Sequence, residues 1–408
     1  MGFVTDKYKH TEVGIIPEDW EVYILGNLLN GIADVDHFMP KTEKYGVPYV
    51  MTGDLKDFVG DIDFDNCKKI SISDYEQLSK KVKNLKGDII LARYATIGTV
   101  SFVNVDFDFV VSYSCVTVKP DTSKLIDLFL YYYFKSSIFK LEVKNKVNAN
   151  IQDNVGIGDL LKMKIPLPPT KVEQTAIATA LSDADALFSS LEKLIAKKRN
   201  IKQGAMQQLL QPKEGWEVKK LGEIANCFAG GTPSTNISEY WGGEIIWLPS
   251  GRVQNNVLAI TGEEITITTK GLNESAAKLI KPNSVLIAIT GATCGNIGFL
   301  SFEASANQSV VALEPNSNIN GRFLYYMMIT KRNDILTLQT GSAQGGTNLR
   351  SIKSISVSLP NIEMQNHIAN ILINMDSEII VLEAKLEKYK RIKQGMMQQL
   401  LTGKIRLA

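Results

Sequence analysis

Ile201-Lys-Gln-Gly-Ala-Met-Gln-Gln-Leu-Leu210 and Ile392-Lys-Gln-Gly-Met-Met-Gln-Gln-Leu-Leu401 are nearly the same decapeptide, 191 residues apart. The offset holds upstream, where Gln174, Ile177, Ala178, Leu181 and Asp185 return as Gln365, Ile368, Ala369, Leu372 and Asp376. Solenoid repeats run at roughly 20–50 residues, so a period this long marks a duplicated half-molecule.

Each copy carries a heptad seam. Ile177, Leu181, Ala184, Phe188, Leu191 and Ile195 follow a 4-3-4-3-4 spacing, and Ile368, Leu372, Met375, Ile379, Leu382 and Leu386 repeat it. An average near 3.5 residues gives a narrow apolar strip that seeks one partner helix. A helix over 172–210 would be about 58 Å long, too long for one small domain to cover. The two copies are therefore expected to pair with each other as an antiparallel coiled coil, rather than lie singly on a globular surface. With ends matched, Leu191 falls beside Leu382 and Ile177 near Met396.

Outside the helices the duplication is looser. Trp20, Leu25 and Gly26 match Trp216, Leu221 and Gly222, a pattern that suits a strand entering a turn and packing on its Trp. Strand-like runs at 47–54 and 245–252, 87–98 and 284–295, and 111–120 and 306–315 correspond, each ending in polar, glycine- or proline-bearing segments. Phe129-Leu-Tyr-Tyr matches Phe323-Leu-Tyr-Tyr as an aromatic helix face. Ile165-Pro-Leu-Pro-Pro169 and Val357-Ser-Leu-Pro360 close each half just before its long helix, where proline is tolerated. The order is globular, helix, globular, helix, with boundaries at 1–168, 169–211, 212–360 and 361–403. A short tail, 404–408, is expected beside the N-terminus, which would give both halves like surroundings. The fold class is mixed α/β with a pseudo-twofold internal duplication.

The net charge of +2 neither demands nor excludes nucleic acid, so any DNA-facing surface must arise from local clustering. Cys67, Cys115, Cys227 and Cys294 show no CxxC or metal spacing, and His10, His37 and His367 read as surface residues. A reduced, cytoplasmic chain without metal or membrane contact is the simple account. No stretch reaches the roughly 20 apolar residues of a membrane helix.

Enzymatic motifs are sparse. Gly230-Gly-Thr-Pro-Ser-Thr235 lacks the lysine of a nucleotide-binding loop. The single Pro-Pro, Pro168-Pro169, is preceded by Leu167 and followed by Thr170, unlike an Asn/Asp-Pro-Pro-aromatic methyltransferase motif. Asp121, Glu142 and Lys144 fit a loose Mg²⁺-dependent nuclease pattern, but the second half has Asn316, Leu336 and Leu338 there. A nuclease, or a scaffold that never meets DNA, are the competing functions.

The ordered set of features resembles the specificity subunit of type I restriction-modification systems. It comprises the duplicated layout, the Pro168-Pro-Thr-Lys-Val-Glu-Gln174 helix start, the repeated Lys-Gln-Gly…Gln-Gln-Leu-Leu ends, Ile289-Thr-Gly-Ala-Thr-Cys-Gly295 and Asn307-Gln-Ser309. The resemblance covers nearly the whole chain. It implies a non-catalytic subunit with two target-recognition domains, each reading half of a split site in double-stranded DNA. The helices would set the spacing and dock two modification subunits. S-adenosylmethionine, ATP and Mg²⁺ would belong to those partners and to separate restriction subunits, with no cofactor in this chain.

Candidate DNA-binding residues follow from side chains able to read base edges or bond phosphates. They are Arg93, Tyr94, Ser112, Tyr113 and Ser114 in the first half. In the second they are Thr232, Ser234, Arg252, Gln254, Thr290, Thr293, Asn307, Gln308 and Gln344. The first half has Tyr113 opposite Gln308 and Arg93-Tyr94 opposite Thr290-Gly291, as two readers of different sequence would. Candidate helix-pairing residues are Ile177, Leu181, Phe188, Leu191, Ile195, Ile368, Leu372, Ile379, Leu382 and Leu386.

Overall fold

The computed structural model describes residues 7–148, 154–338 and 346–407. The chain forms two compact units, residues 1–192 with 385–408, and residues 193–384. Both long helices, Lys171–Leu209 and Ile362–Leu400, run from one unit into the other.

In the first unit, a four-stranded antiparallel sheet orders Leu29–Ala33, Cys115–Pro120, Ile89–Ala92 and Val100–Phe102. Beside it lies a three-stranded sheet of Lys68–Ile70, Val47–Val50 and Val110–Val111, whose last pair is parallel. Glu21–Ile24 pairs with Lys164–Leu167 just before the helix. Side chains alternate along a strand, and both faces of Ile89–Ala92 are covered. Ile89 and Leu91 enter the core with Trp20 and the Asp127–Lys135 helix. Ile90 and Ala92 enter a second core with Val50 and Phe109.

The second unit repeats this plan. Ala225–Ala229, Val310–Pro315, Ser284–Ala288 and Ile297–Leu300 lie in the same order, with Asn256–Val257 added at the edge. Thr266–Ile267, Trp241–Leu248 and Ser305–Ala306 form the companion sheet. Glu217–Lys220 pairs with Ser356–Leu359. Thus the corresponding runs in the sequence occupy corresponding strands.

Thr170 and Asn361 cap the long helices by accepting from the amides of Glu173 and Met364. Gln174 then ties the helix start to the sheet, accepting from the Ile126 amide and donating to the Pro168 carbonyl. Gln365 does the same with Asn320 and Pro360. These bonds explain why the two glutamines recur at the 191-residue offset.

The repeated Asp and Lys have an equally specific use. In the first unit Asp185 accepts from the Tyr132 hydroxyl (2.8 Å) and pairs with Lys393, whose ammonium lies 5.3 Å from the Tyr132 ring centre. In the second, Asp376 accepts from Tyr326 (2.6 Å) and pairs with Lys202, which lies 5.4 Å from the Tyr326 ring centre. Each unit therefore locks one helix to the other and both to its aromatic helix. Further pairs are Glu192–Lys390 in the first unit, and Lys198–Glu378 and Arg199–Glu383 in the second.

These contacts run antiparallel, but their register differs from the ends-matched expectation. With Asp185 against Lys393 and Glu192 against Lys390, Leu191 is level with residues near 387 instead of Leu382. Ile177 shares its core with Leu400 and Leu401, and Met396 packs at that core's margin. In the same register Arg406, beyond the helix end, meets the start of the other helix at Glu173.

The seam has two parts. Ile177 and Leu181 join the first globular core, and Ile368 and Leu372 the second, so the helix ends do lie on globular surface. Leu191 and Leu386 in the first unit, and Ile195 and Ile379 in the second, are buried beside the interhelical ion pairs. Phe188 and Leu382 are only half-buried, and Phe188 offers its ring to Lys393.

The C-terminal segment packs beside the N-terminal one. Arg406 makes a two-toothed bond to Asp19 (both 2.9 Å) and pairs with Glu173. Gly403 has φ of +69°, and a Cβ there would lie 2.4 Å from Pro17. Only glycine fits this turn. Among the described residues, no helix is long and apolar enough to cross a membrane.

Candidate nucleic-acid interface

The strand-to-loop junctions at one end of each sheet pair bring most of the candidate residues together. In the second unit, the amide of Gly230 donates to Val310, that of Ile289 to Ser309, and that of Asn307 to Leu248. Three loops thus converge, carrying Thr232 and Ser234, Thr290 and Thr293, and Asn307 and Gln308. The Thr232 hydroxyl is bonded to the Gln308 amide oxygen, joining two of them. Gly230 and Gly231 are required here, since a Cβ on either would lie 2.2 or 2.1 Å from the carbonyl of Ala306 or Ala276. Ser234, Thr290 and Gln308 are exposed. Among the described residues the Gln308 amide N–H₂ has no partner, while Asn307 spends its side-chain oxygen on the Ser309 amide (3.2 Å).

Arg252 and Gln254 follow Leu248, the strand end that receives Asn307. Arg252 donates to the Ala259 carbonyl (2.9 Å), and exposed Gln254 donates to Gly251 (2.7 Å). Both anchor their own loop as well as facing outward. Gln344 lies outside the described residues. Thr347, which sequence reasoning overlooked, enters the same cluster through its amide bond to Ile289 (2.9 Å), and its buried hydroxyl has no partner among the described residues.

The first unit builds the equivalent cluster differently. Arg93 is not a free reader: it is 6% exposed, and its guanidinium donates to Asp34 at 2.5 Å and to the Val155 carbonyl at 3.5 Å. Its terminal nitrogens are committed inside the protein and its Nε is buried, without a partner among the described residues, which corrects the expectation of base contact. Ser112 is buried as well, its amide bonded to Val50, so its hydroxyl does not face DNA either. Half-buried Tyr113 stacks on exposed His37 with ring centres 4.9 Å apart. Tyr94 lies beside Arg93, and Ser114 accepts from the Arg93 amide (2.9 Å). Tyr94, Tyr113 and Ser114 therefore remain at the loop surface, with Arg93 and Ser112 as their support. Phe38 and Met39, which follow His37 in sequence, and Tyr45 are exposed as well, and Lys41 forms no ion pair among the described residues.

Asp34 and Lys81 are support residues that periodicity could not single out. Burial would push the Asp34 carboxyl up, but the Lys81 hydrogen bond and the Arg93 charge outweigh it and hold it below its ordinary value. Its stabilising contribution is therefore present above the unfolded value of 3.8 and is lost as pH falls through the lower folded one. Asp34→Asn is expected to cost about 2 kcal/mol near neutral pH, the scale of hydrogen bonds to charged groups. The gap in Tm between the wild type and this variant should close on acidification. A constant gap would show that the Asp34 charge contributes nothing.

The nuclease pattern is not assembled. Asp121 is held near 2, first by the Ser123 hydroxyl and then by Lys124. Glu142 is half-buried, and burial raises it despite Lys146 and Lys164. Lys144 points into a separate groove. Among the described residues, no group of three or more His, Cys, Asp or Glu side chains is placed to hold a metal. His10, His37 and His367 are exposed.

Two matching loop clusters on one duplicated frame, differing in the side chains they present, are what comparison with known proteins must account for. The type I restriction modification DNA specificity domain matches residues 17–203 and again 213–394. The chain belongs to the type I restriction-modification DNA specificity family. It is 28% identical to the type I restriction enzyme EcoR124I/EcoR124II specificity subunit of Escherichia coli, over 67% of this chain and 69% of that one. It is 23% identical to the MjaVIII specificity subunit of Methanocaldococcus jannaschii, over 96% and 94%. The fold matches the crystal structure of the Type I restriction-modification S subunit from M. genitalium, with a TM-score of 0.58 and 19% identity. That match covers 97% of this chain and 99% of that one. As a type I specificity subunit the chain is the sequence-recognising, non-catalytic kind of component, and no nuclease reading is needed.

Proposed function

We propose that this specificity subunit reads a two-part site in double-stranded DNA, one part per loop cluster. The observation that carries it is the contrast between frame and loops. The Gln, Asp, Tyr and Lys contacts recur in both units, whereas Tyr94 and Tyr113 stand where the other unit has Gly291 and Gln308. A frame kept while its loops diverge suits two readers of different sequence. Exposed Leu187, Leu194 and Ile201 form a second heptad stripe on the first long helix. Such a stripe favours the docking of two modification subunits along the helices, in a cytoplasmic complex. Those partners would bind S-adenosylmethionine and methylate adenine. Restriction subunits would add ATP-driven translocation and Mg²⁺-dependent cleavage.

The test is a domain exchange. Replacing residues 215–360 with the matching segment of another family member, and sequencing the methylated motifs of cells that also make the modification subunits, should change one half-site only. If both half-sites change together, the one-cluster, one-half-site reading is wrong.

A further inference from the structure

Lys144 lines a groove of about 510 Å³ in the first unit, formed by Ile97, Gly98, Thr99 and Val100 on one side and Lys140, Val143, Lys144 and Val147 on the other. Lys135 also reaches it but is committed to Asp57 at 2.6 Å. Lys140 and Lys144 sit one helical turn apart on Ser137–Asn148, are exposed, and form no ion pair among the described residues. Two uncompensated ammonium groups thus flank an apolar wall. The wall is contiguous in sequence with the reading loop, since residues 97–100 follow Arg93 and Tyr94 after Ala95 and Thr96.

The duplication shows that this groove is not a by-product of the frame. At Gly98 a Cβ would meet nothing within 4 Å among the described residues. At the corresponding Gly295 it would meet the Leu336 side chain at 3.1 Å and the Arg332 stem at 3.4 Å. The second unit fills with an apolar side chain the space that the first leaves open between lysines.

We infer that this groove holds the sugar–phosphate backbone of the DNA next to the half-site read by the first unit, with Lys140 and Lys144 each on a phosphate and the valines against deoxyribose. This rests on the DNA-reading function proposed above. Contacts of this type position a protein on the duplex and carry no sequence information.

The experiment measures duplex binding by the full chain, co-expressed with its modification subunits, across a salt series. The variants are Lys140→Ala/Lys144→Ala, Lys140→Arg/Lys144→Arg, and a charge-matched control at exposed Lys213 and Lys220. Each phosphate contact contributes about 0.9 to the slope of log K against log salt. The alanine pair should therefore flatten the slope by roughly 1.8, while the arginine pair and the control keep it. Methylated half-sites should be unchanged. An unchanged slope in the alanine pair, an equal loss in the control, or an altered half-site would each overturn the inference. So would saturable binding of inorganic phosphate at fixed ionic strength that the alanine pair abolishes while duplex binding persists. Salt-independent behaviour of the unaltered complex would instead sink the DNA-reading function itself.

Discussion

Asp185→Ala is expected to lower the free energy of unfolding by about 3–5 kcal/mol, because it strands a buried ammonium group. Lys393 is 7% exposed, and its charge is met by Asp185 and by the faces of Tyr132 and Phe188. Burial holds the Lys393 pKa below its ordinary value even with the carboxylate in place, so desolvation outweighs the pairing. Without Asp185 only the two ring faces and the Asp57 charge offset that cost, and Tyr132 loses its acceptor as well. The pair is then a device for register more than for stability. A double change to similar-sized apolar residues, Asp185→Leu with Lys393→Met, should recover most of the loss. The mirrored Asp376→Ala should cost less, since Lys202 and Asp376 are more exposed, at 19% and 26% of their side chains. Denaturant titration of the three variants checks this. An Asp185→Ala protein as stable as the wild type would remove the ion pair from any account of how the helices are held.

Lengthening both helices by seven residues is expected to widen the unspecified gap of the DNA site by about three base pairs. Seven residues add about 10 Å to a helix, and B-DNA rises about 3.4 Å per base pair. A heptad insertion keeps the seam in phase. The ion pairs determine where the insertions must match: residue 196 is level with residue 382 in the register set by Lys198–Glu378, Arg199–Glu383 and Lys202–Asp376. Insertions after Ala196 and after Glu383 therefore leave every one of these pairs intact, since Arg199 and Glu383 then stay in one block. Both loop clusters are untouched, so both half-sites should stay the same. Three added base pairs also turn one half-site about the duplex by roughly a third of a turn, at about 10 base pairs per turn. Methylation should fall for that reason even as the gap widens. Sequencing the methylated motifs decides it. An unchanged gap at full activity would mean that the helices do not measure the site.

The duplication was legible in the sequence because helix pairing repeats the same chemistry twice. Gln174, Asp185 and Lys202 recur 191 residues on as Gln365, Asp376 and Lys393, since each must meet the same partner in its own unit. Strand correspondences were legible for a related reason: a strand buried on both faces, such as Ile89–Ala92 or Ser284–Ala288, tolerates little besides β-branched and aliphatic residues. Periodicity could not supply the helix register. A heptad seam does not by itself say how far one helix slides along the other, and that was decided by the interhelical ion pairs together with the packing of Arg406 on Glu173 and Asp19.

The candidate site divides along the same line. Which segments become loops followed from Gly, Ser, Thr and Asn placement, and those loops do converge. Which polar side chains remain free within them depends on partners far away in sequence. Arg93 and Gln308 are both long hydrogen-bonding side chains on loops of the two clusters. Asp34, 59 residues before Arg93, draws the first inward, while Thr232 leaves the second at the surface. The groove at Lys140 and Lys144 was likewise invisible, because it depends on Gly98 facing no counterpart of Leu336 among the described residues. Local propensity is written residue by residue, but burial and pairing of charge belong to neighbours that only the folded chain brings within reach.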